Sequence, residues 1–220
     1  MARALQKTNK SKIYHDLRRA IITGQYRPED RLEVEAIAGR FGTSVSPVRD
    51  ALQMLGQEGL VTIRPRSGYF VTRMTLKQLK DLLEIREILE IAAVERATEN
   101  ITTDQLNQLE SVHGDYTGDD PDSYDRYTEE NRRFHVGLAQ ASGNSELADQ
   151  IGRLLDRLAR FMVMSHSGKI MKDGHQRTID ALRKKDATAA RNNLRKELQT
   201  SRQTILDRVM DEEADRWTVM

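Results

Sequence analysis

The chain has 220 residues, a formal net charge of +1, no cysteine and 38% hydrophobic residues. This length has room for two modest domains, and the lack of cysteine excludes a disulfide framework and thiolate chemistry, as suits a reducing compartment. No run is apolar enough for a membrane span, and the first residues lack the apolar stretch of a signal peptide. We therefore expect a cytoplasmic protein without a membrane partner.

The charge is unevenly distributed along the chain. Residues 1–75 carry 13 Lys and Arg against 7 Asp and Glu, a balance of +6. Residues 76–220 carry the remaining 22 and 27, a balance of −5. A basic segment on an acidic body is typical of a domain that meets phosphates joined to one that does not. Residues 1–10 have little to bury, and we expect them to form a mobile basic arm.

Three short helices are predicted in the basic segment. An apolar stripe between Ile13 and Ile22 marks the first helix. The second spans Glu33–Phe41. The third follows an N-cap residue, Ser44, and has Pro47 in its first turn, where the missing N–H costs nothing. The tight connection between the last two helices indicates a helix-turn-helix.

Two β-prone runs follow, Leu60–Arg64 and Tyr69–Arg73, and the turn between them predicts a hairpin, the wing of a winged helix-turn-helix. A recognition helix presents its first residues to base edges, while cations hold the phosphates. Arg49 can donate two hydrogen bonds to guanine or phosphate, and Gly68 is small enough to approach the minor groove. The predicted DNA-binding residues are Ser44, Val45, Ser46, Arg49, Arg64, Arg66 and Gly68.

After the wing the pattern predicts helices and no strand. Thr75 is a suitable N-cap for a long helix, so we place a DNA-binding domain at 1–74 and an all-α domain at 75–220. An acidic, turn-rich stretch is expected at Asp115–Pro121. Six helices in about 145 residues imply a bundle, so the expected fold is mainly α. Those helices are predicted at 75–99, 103–114, 122–142, 145–165, 169–185 and 187–213.

Motifs in both halves resemble the GntR family of bacterial transcription regulators. The N-terminal match rests on Ser46–Leu52, on Glu58–Val61 and on the wing, Pro65–Val71. The C-terminal half is similar to the all-α, ligand-binding FCD domain of the FadR subfamily, in its six-helix, VanR-like branch. The residues that fit this domain are Arg86, Glu90, Phe134–His135, Gly143–Asn144 and His175. The resemblance implies a homodimer on operator DNA, controlled by a small organic acid.

Many FCD domains hold a divalent metal on one Asp and three His. The resemblance places the corresponding ligands at Asn131, His135, His175 and Glu197, so that Asn and Glu replace the Asp and the third His. The formal ligand charge stays at −1, and these donors suit zinc, which we expect, or nickel or manganese. Arg86 is then a second anchor for the carboxylate of the effector. The alternative is that the two histidines contact Glu197 in an ordinary polar core.

The sequence leaves other functions open. Val45 stands where the family often has Arg, and an aliphatic side chain can touch a thymine methyl but cannot read guanine. A helical protein-interaction module without DNA binding is therefore one alternative. A metal-dependent enzyme with an accessory winged helix is another, but no motif supplies a nucleophile or a further acid or base. We expect a regulator and not an enzyme.

Overall fold

The computed structural model describes residues 2–112, 121–165 and 168–217, and their side chains over 10–112, 126–165 and 172–212. The chain forms two compact units, which we call the winged unit, 1–76, and the helical unit, 77–220. As predicted, the fold is mainly α with a small antiparallel sheet. Residues 113–120, which hold most of the predicted acidic turn and the end of one predicted helix, lie outside the described residues.

The winged unit contains the three predicted helices and the predicted hairpin. Its elements are α1 Ala2–Ile22, β1 Arg31–Leu32, α2 Val34–Arg40, α3 Val45–Gln57, β2 Val61–Arg64 and β3 Gly68–Val71. The sheet has the order β1-β3-β2, and the short β1, which the sequence did not predict, pairs with β3. The prediction of a mobile arm at 1–10 was wrong, because α1 already begins at Ala2 and passes through this segment.

Apolar faces of α1 and α3 form the centre of the winged unit. Ile13, Leu17, Val48, Leu52 and Leu55 are almost completely buried. The three α3 residues recur at helical spacing on one face, so the opposite face of α3 points away from this core. The helix-turn-helix therefore rests on an ordinary apolar core, which leaves the start of α3 free for another task.

Polar contacts also fasten α1 to the end of α3. Glu58, directly after α3, accepts a hydrogen bond from the Tyr14 hydroxyl, and its other oxygen lies 3.6 Å from Arg18 Nε. The hairpin has a fixed register, with Val61 opposite Val71 and Arg64 opposite Gly68. These contacts hold the wing and the recognition helix on one small scaffold.

The helical unit contains the six predicted helices. They are α4 Leu76–Asn100, α5 Thr103–Ser111, α6 Pro121–Ala141, α7 Ser145–Ser165, α8 Gly168–Arg183 and α9 Ala187–Trp217. Their apolar faces meet in one core centred on Phe134 of α6, Leu182 of α8 and Leu194 of α9, all fully buried. Within the described residues, no helix is both long and apolar enough to cross a membrane.

Candidate functional site

The residues predicted to read DNA lie at the exposed start of α3. Ser44 occupies the N-cap position with extended backbone, and its hydroxyl makes no capping hydrogen bond to the helix. Val45 is 37% exposed, and Ser46 and Arg49 are exposed as well. The side chains on the opposite face of α3 are buried, so these four residues are presented outward together. They leave two hydroxyls, an aliphatic group and a guanidinium available to a duplex.

The two arginines of the wing differ in their surroundings. Arg64 Nη2 lies 2.6 Å from Glu29 Oε2, and its guanidinium sits 4.3 Å from the centre of the Phe70 ring. Arg66 is exposed at the hairpin tip, where no acidic side chain of the described part of the chain pairs with it. Arg64 is therefore partly neutralised within the unit, whereas the charge of Arg66 is fully available to a phosphate.

Gly68 has a backbone reason to be glycine. Its φ of +115° is a conformation that residues with a Cβ rarely adopt. A Cβ at this position would also lie 3.5 Å from Arg31 Nε. Arg31, on the unpredicted strand β1, thus lies beside the wing, and the sequence analysis did not select it as a site residue. Its Nε is 3.3 Å from Glu33 Oε1, so its charge is partly neutralised. Its proximity to the wing follows from the pairing of β1 with β3, which local sequence patterns do not reveal.

A second group of functional candidates is buried inside the helical unit. We call it the buried polar cluster, and it comprises Arg86, Glu90, His135, His175 and Glu197. The first two lie on α4 and the others on α6, α8 and α9, so four helices contribute. Each side chain is at most 5% exposed. Burying so many polar groups is unfavourable unless they are paired or hold a ligand.

On one side of the cluster, Arg86, Glu90 and His135 form a closed chain of contacts. Arg86 Nε donates to Glu90 Oε1 at 2.7 Å, and Glu90 Oε2 lies 2.5 Å from His135 Nδ1. Arg86 Nη2 lies 3.0 Å from His135 Nε2. Because a guanidinium N–H only donates, this last contact requires Nε2 to accept and the ring proton to sit on Nδ1, facing Glu90.

The charges in this chain act on one another. Burial alone would raise the pKa of Glu90, but His135 and Arg86 outweigh it and lower that pKa. Burial disfavours a charged His135 ring, yet the Glu90 carboxylate more than offsets it and raises the pKa of the imidazole. A second ring proton would have to occupy the nitrogen that faces Arg86, so the Arg86 contact opposes the charge on His135 that Glu90 favours.

On the other side of the cluster, two imidazoles face one carboxylate. Glu197 Oε1 lies 3.0 Å from His175 Nε2 and 3.4 Å from His135 Nε2, yet among the described residues no donor is aligned for a hydrogen bond to either Glu197 oxygen. Burial would raise the pKa of Glu197, but the two histidines lower it, so the carboxylate is ionised. Burial lowers the pKa of His175, whose ring stacks on Phe134 at 3.7 Å. A neutral His175 and an ionised Glu197 are the forms that bind divalent metals, and His135 binds one only after losing any second ring proton.

The donor atoms fit a metal in part. One donor atom from each of His135, His175 and Glu197 lies within 4.8 Å of the others. The orphaned Glu197 oxygens are what a cation would satisfy. Asn131, the fourth predicted ligand, is buried one turn before His135, but its amide is engaged by Tyr127 at 3.3 Å and by Met162 Sδ at 3.4 Å. Three of the four predicted ligands therefore converge, and three protein ligands with an open position are a common arrangement for zinc.

Glu90 is the member of the cluster that sequence reasoning did not select as a site residue. Its spacing of four residues from Arg86 on a helix that carries both apolar and polar faces was the available signal. The spacing predicts a pair between the two side chains, but not that the pair is buried or that it contacts His135.

Comparisons with known proteins fit this architecture. Residues 9–71 match the bacterial regulatory proteins of the gntR family, and residues 81–200 match the FCD domain. The chain belongs to the GntR family. It is a DNA-binding transcriptional regulator with an FCD domain and not an enzyme.

Individual relatives extend over nearly the whole chain. The transcriptional repressor RspR of Escherichia coli is 29% identical over 199 residues, which cover 88% of this chain and 87% of RspR. The repressor GlaR of the same organism is 25% identical over 200 residues, which cover 85% of this chain and 91% of GlaR. The solved structure of E. coli McbR/YncC superposes with a TM-score of 0.73 at 23% identity, covering 91% of this chain and 98% of that one. This last likeness shows the fold alone.

Proposed function

We propose that this GntR-family regulator binds operator DNA as a homodimer and changes its affinity when a small carboxylic acid binds beside a divalent metal in the helical unit. Residues 1–74 would bind DNA, and residues 75–220 would bind the effector and dimerise. The observation that carries the effector part of the proposal is that Arg86 Nη1 and both carboxylate oxygens of Glu197 are among the buried polar atoms of the cluster without a hydrogen-bond partner in the described part of the chain. A cation and an anion would satisfy them together.

The DNA-binding part rests on the exposed start of α3 and on the wing tip. Ser44, Ser46 and Arg49 can contact phosphates and base edges, and Val45 can contact a thymine methyl. Arg66 and Gly68 would follow the adjacent backbone or minor groove. Arg64 would contribute less, because Glu29 already neutralises part of its charge.

The metal part rests on three side chains. His135, His175 and Glu197 would hold the ion, most suitably zinc, and Asn131 would join only by leaving Tyr127 and Met162. A bound divalent cation supplies a positive centre that accepts an oxygen of a carboxylate. Arg86 supplies the second positive group, since a guanidinium can hold a carboxylate through two parallel hydrogen bonds. A small acid would then lie between two cations in a site shielded from water.

The homodimer is supported by an exposed apolar stripe on α4. Ile85 is 45% exposed and Ile88 is 62% exposed, and the two lie on the same face of the helix. Exposed apolar side chains that line up in this way are typical of a surface covered by a partner. A second copy of the chain is the partner we propose, because a dimer places two recognition helices on a two-fold symmetric operator.

The segment between the last strand of the winged unit and the first helix of the helical unit is short. Residues 72–75 separate β3 from α4, the helix that carries Arg86 and Glu90. If the acid changes the affinity for DNA, then DNA must change the affinity for the acid by the same factor.

The test of the proposed function combines composition and binding. Protein purified without chelators should contain about one divalent metal per chain, as expected for a single site. A DNA fragment selected by the protein from a random duplex library should bind the wild type much more tightly than it binds Arg49→Ala. A panel of small carboxylic acids should include one that raises the melting temperature of the metal-loaded protein and shifts its DNA affinity. Metal-free protein that no acid stabilises would favour the alternative, an ordinary polar core.

A further inference from the structure

One nitrogen of His135 faces both Arg86 and the other two candidate metal ligands. Its Nε2 atom lies 3.3 Å from His175 Nε2 and 3.4 Å from Glu197 Oε1, so this is the ring atom that faces the other two candidate ligands. The opposite ring nitrogen, Nδ1, faces Glu90. Yet Nε2 already accepts a hydrogen bond from Arg86 Nη2 at 3.0 Å. The atom that would bind a metal is thus occupied by a side chain of the same protein.

Arg86 and a metal ion exclude each other at His135 Nε2. An unprotonated imidazole nitrogen has a single lone pair in the plane of the ring, which can accept one hydrogen bond or bind one metal ion. A zinc–nitrogen bond is about 2.0–2.1 Å long and requires that lone pair. The guanidinium cannot lose its proton and become a ligand, and it repels a second cation placed beside it.

We propose that Arg86 acts as an internal cation that closes the site, and that a metal bound by His135, His175 and Glu197 displaces its Nη2 group from His135 and frees the guanidinium for a carboxylate. This inference rests on the proposed function, because it gives the order in which the metal and the acid bind. The metal binds first. The acid then takes the guanidinium that the metal has released.

The contacts of Arg86 explain why the displaced guanidinium remains within the buried polar cluster. Its Nε remains bound to Glu90 at 2.7 Å, so the side chain turns about this fixed point and does not leave the cluster. Its Nη1 is already buried without a hydrogen-bond partner among the described residues, and after displacement Nη2 lacks one as well. Buried donors without acceptors are unfavourable, and the two oxygens of a carboxylate satisfy both. The acid should therefore bind the metal-loaded protein more tightly than the metal-free protein, and should tighten metal binding in return.

A zinc titration of four chelator-treated proteins tests the exchange: wild type, Arg86→Met, Arg86→Lys and Arg96→Met. Arg86→Met removes the competitor and should bind zinc about tenfold more tightly or better, a difference easily resolved in a binding constant. Arg86→Lys keeps a positive charge for Glu90 but has no second arm for His135, so it should also bind zinc more tightly, by a smaller factor. Arg96 is exposed on the same helix, and its replacement should leave zinc affinity unchanged.

Acetate is the probe for the released guanidinium. It should raise the melting temperature of the zinc-loaded wild type and have little effect without zinc or in Arg86→Met. Circular dichroism checks that each variant is folded, and Arg86→Lys keeps the test decisive if Arg86→Met is not. His135→Gln should bind zinc much more weakly than any of the four.

The outcomes separate the two proposals. If wild type and both Arg86 variants bind zinc equally, or the variants bind it more weakly, the exchange is overturned while the metal site of the proposed function stands. If none of the folded proteins binds zinc, the metal site itself fails, and the exchange fails with it. Tighter binding by both Arg86 variants, with Arg96→Met unchanged, supports the exchange.

Discussion

The winged unit and the helical unit use charge in opposite ways. In the winged unit the functional candidates, such as Arg49 and Arg66, are exposed on top of an apolar core that does not need them. In the helical unit the charges of Arg86, Glu90 and Glu197 are themselves part of the interior. The first arrangement separates folding from binding. The second joins them, because a buried charge that loses its partner destabilises the fold as well as the site.

The largest expected effect lies in the buried polar cluster. Glu90→Ala removes the carboxylate that holds Arg86 Nε and faces His135 Nδ1, and leaves a buried guanidinium without its partner. Breaking one side of a buried ion pair costs about 3–5 kcal/mol, so the free energy of unfolding in urea should fall by that amount. Glu84→Ala, at an exposed position of the same helix, should change it by less than about 0.5 kcal/mol. Equal losses in the two variants would contradict the comparison.

The next effect is on DNA affinity without an effect on stability. Arg49→Ala removes an exposed guanidinium from the start of α3, and binding to a selected operator fragment should fall by about 10- to 100-fold. The urea midpoint should not change, because the apolar face of α3 is untouched. Gel-shift titration measures the first quantity, and Arg96→Ala in the helical unit is the control. Unchanged DNA binding by Arg49→Ala would remove α3 from the interface.

Two helical glycines, one in each unit, allow the same substitution to be compared beside the buried polar cluster and away from it. At Gly174 of α8, an added Cβ would lie 2.9 Å from Glu197 Cγ, whereas at Gly39 of α2 it would meet no atom within 4 Å. Gly174→Ala should therefore destabilise the protein by about 1–3 kcal/mol and weaken zinc binding by displacing Glu197. Gly39→Ala should stabilise it by about 0.5–1 kcal/mol, as in other helices. A stable Gly174→Ala with normal zinc affinity would show that Glu197 moves freely.

The smallest expected effect separates the two arginines of the wing. Arg66→Ala should lower DNA affinity and reduce the slope of log affinity against log salt by about 1, as for one lost phosphate contact. Arg64→Ala should change both less, because its charge is already shared with Glu29. Fluorescence anisotropy with a labelled duplex over a range of salt concentrations measures both slopes. A larger change for Arg64→Ala would mean that DNA breaks the pair with Glu29.

The helices and the hairpin could be predicted from the sequence because each depends on a local pattern of residues. Apolar spacing, N-caps and glycines marked the three helices of the winged unit, the hairpin and the six helices of the helical unit. The two-residue strand β1 was missed because Arg31 and Leu32 are a strand only through pairing with β3. The segment 1–10 was predicted to be an arm because it has few apolar residues, but helix formation there continues from the buried part of α1.

Only some contacts of the buried polar cluster could be predicted from the sequence. The positions of His135, His175 and Glu197 came from the resemblance to the FCD domain, and the structure brings these three together. The contact between Arg86 and His135 joins residues 49 positions apart on different helices, so no local pattern contains it. Both the engagement of Asn131 by its neighbours and the orphaned atoms of Glu197 likewise depend on packing between helices.

The most direct test of the central claim is a measurement of affinity for a selected operator duplex. It compares metal-free with zinc-loaded protein, each with and without a carboxylic acid that stabilises the zinc-loaded form. We expect the acid to shift the dissociation constant by about tenfold in the zinc-loaded wild type, a coupling typical of allosteric regulators. The same acid should have no effect on the metal-free protein or on Arg86→Met. An identical dissociation constant under all these conditions would contradict the claim that the buried polar cluster controls DNA binding.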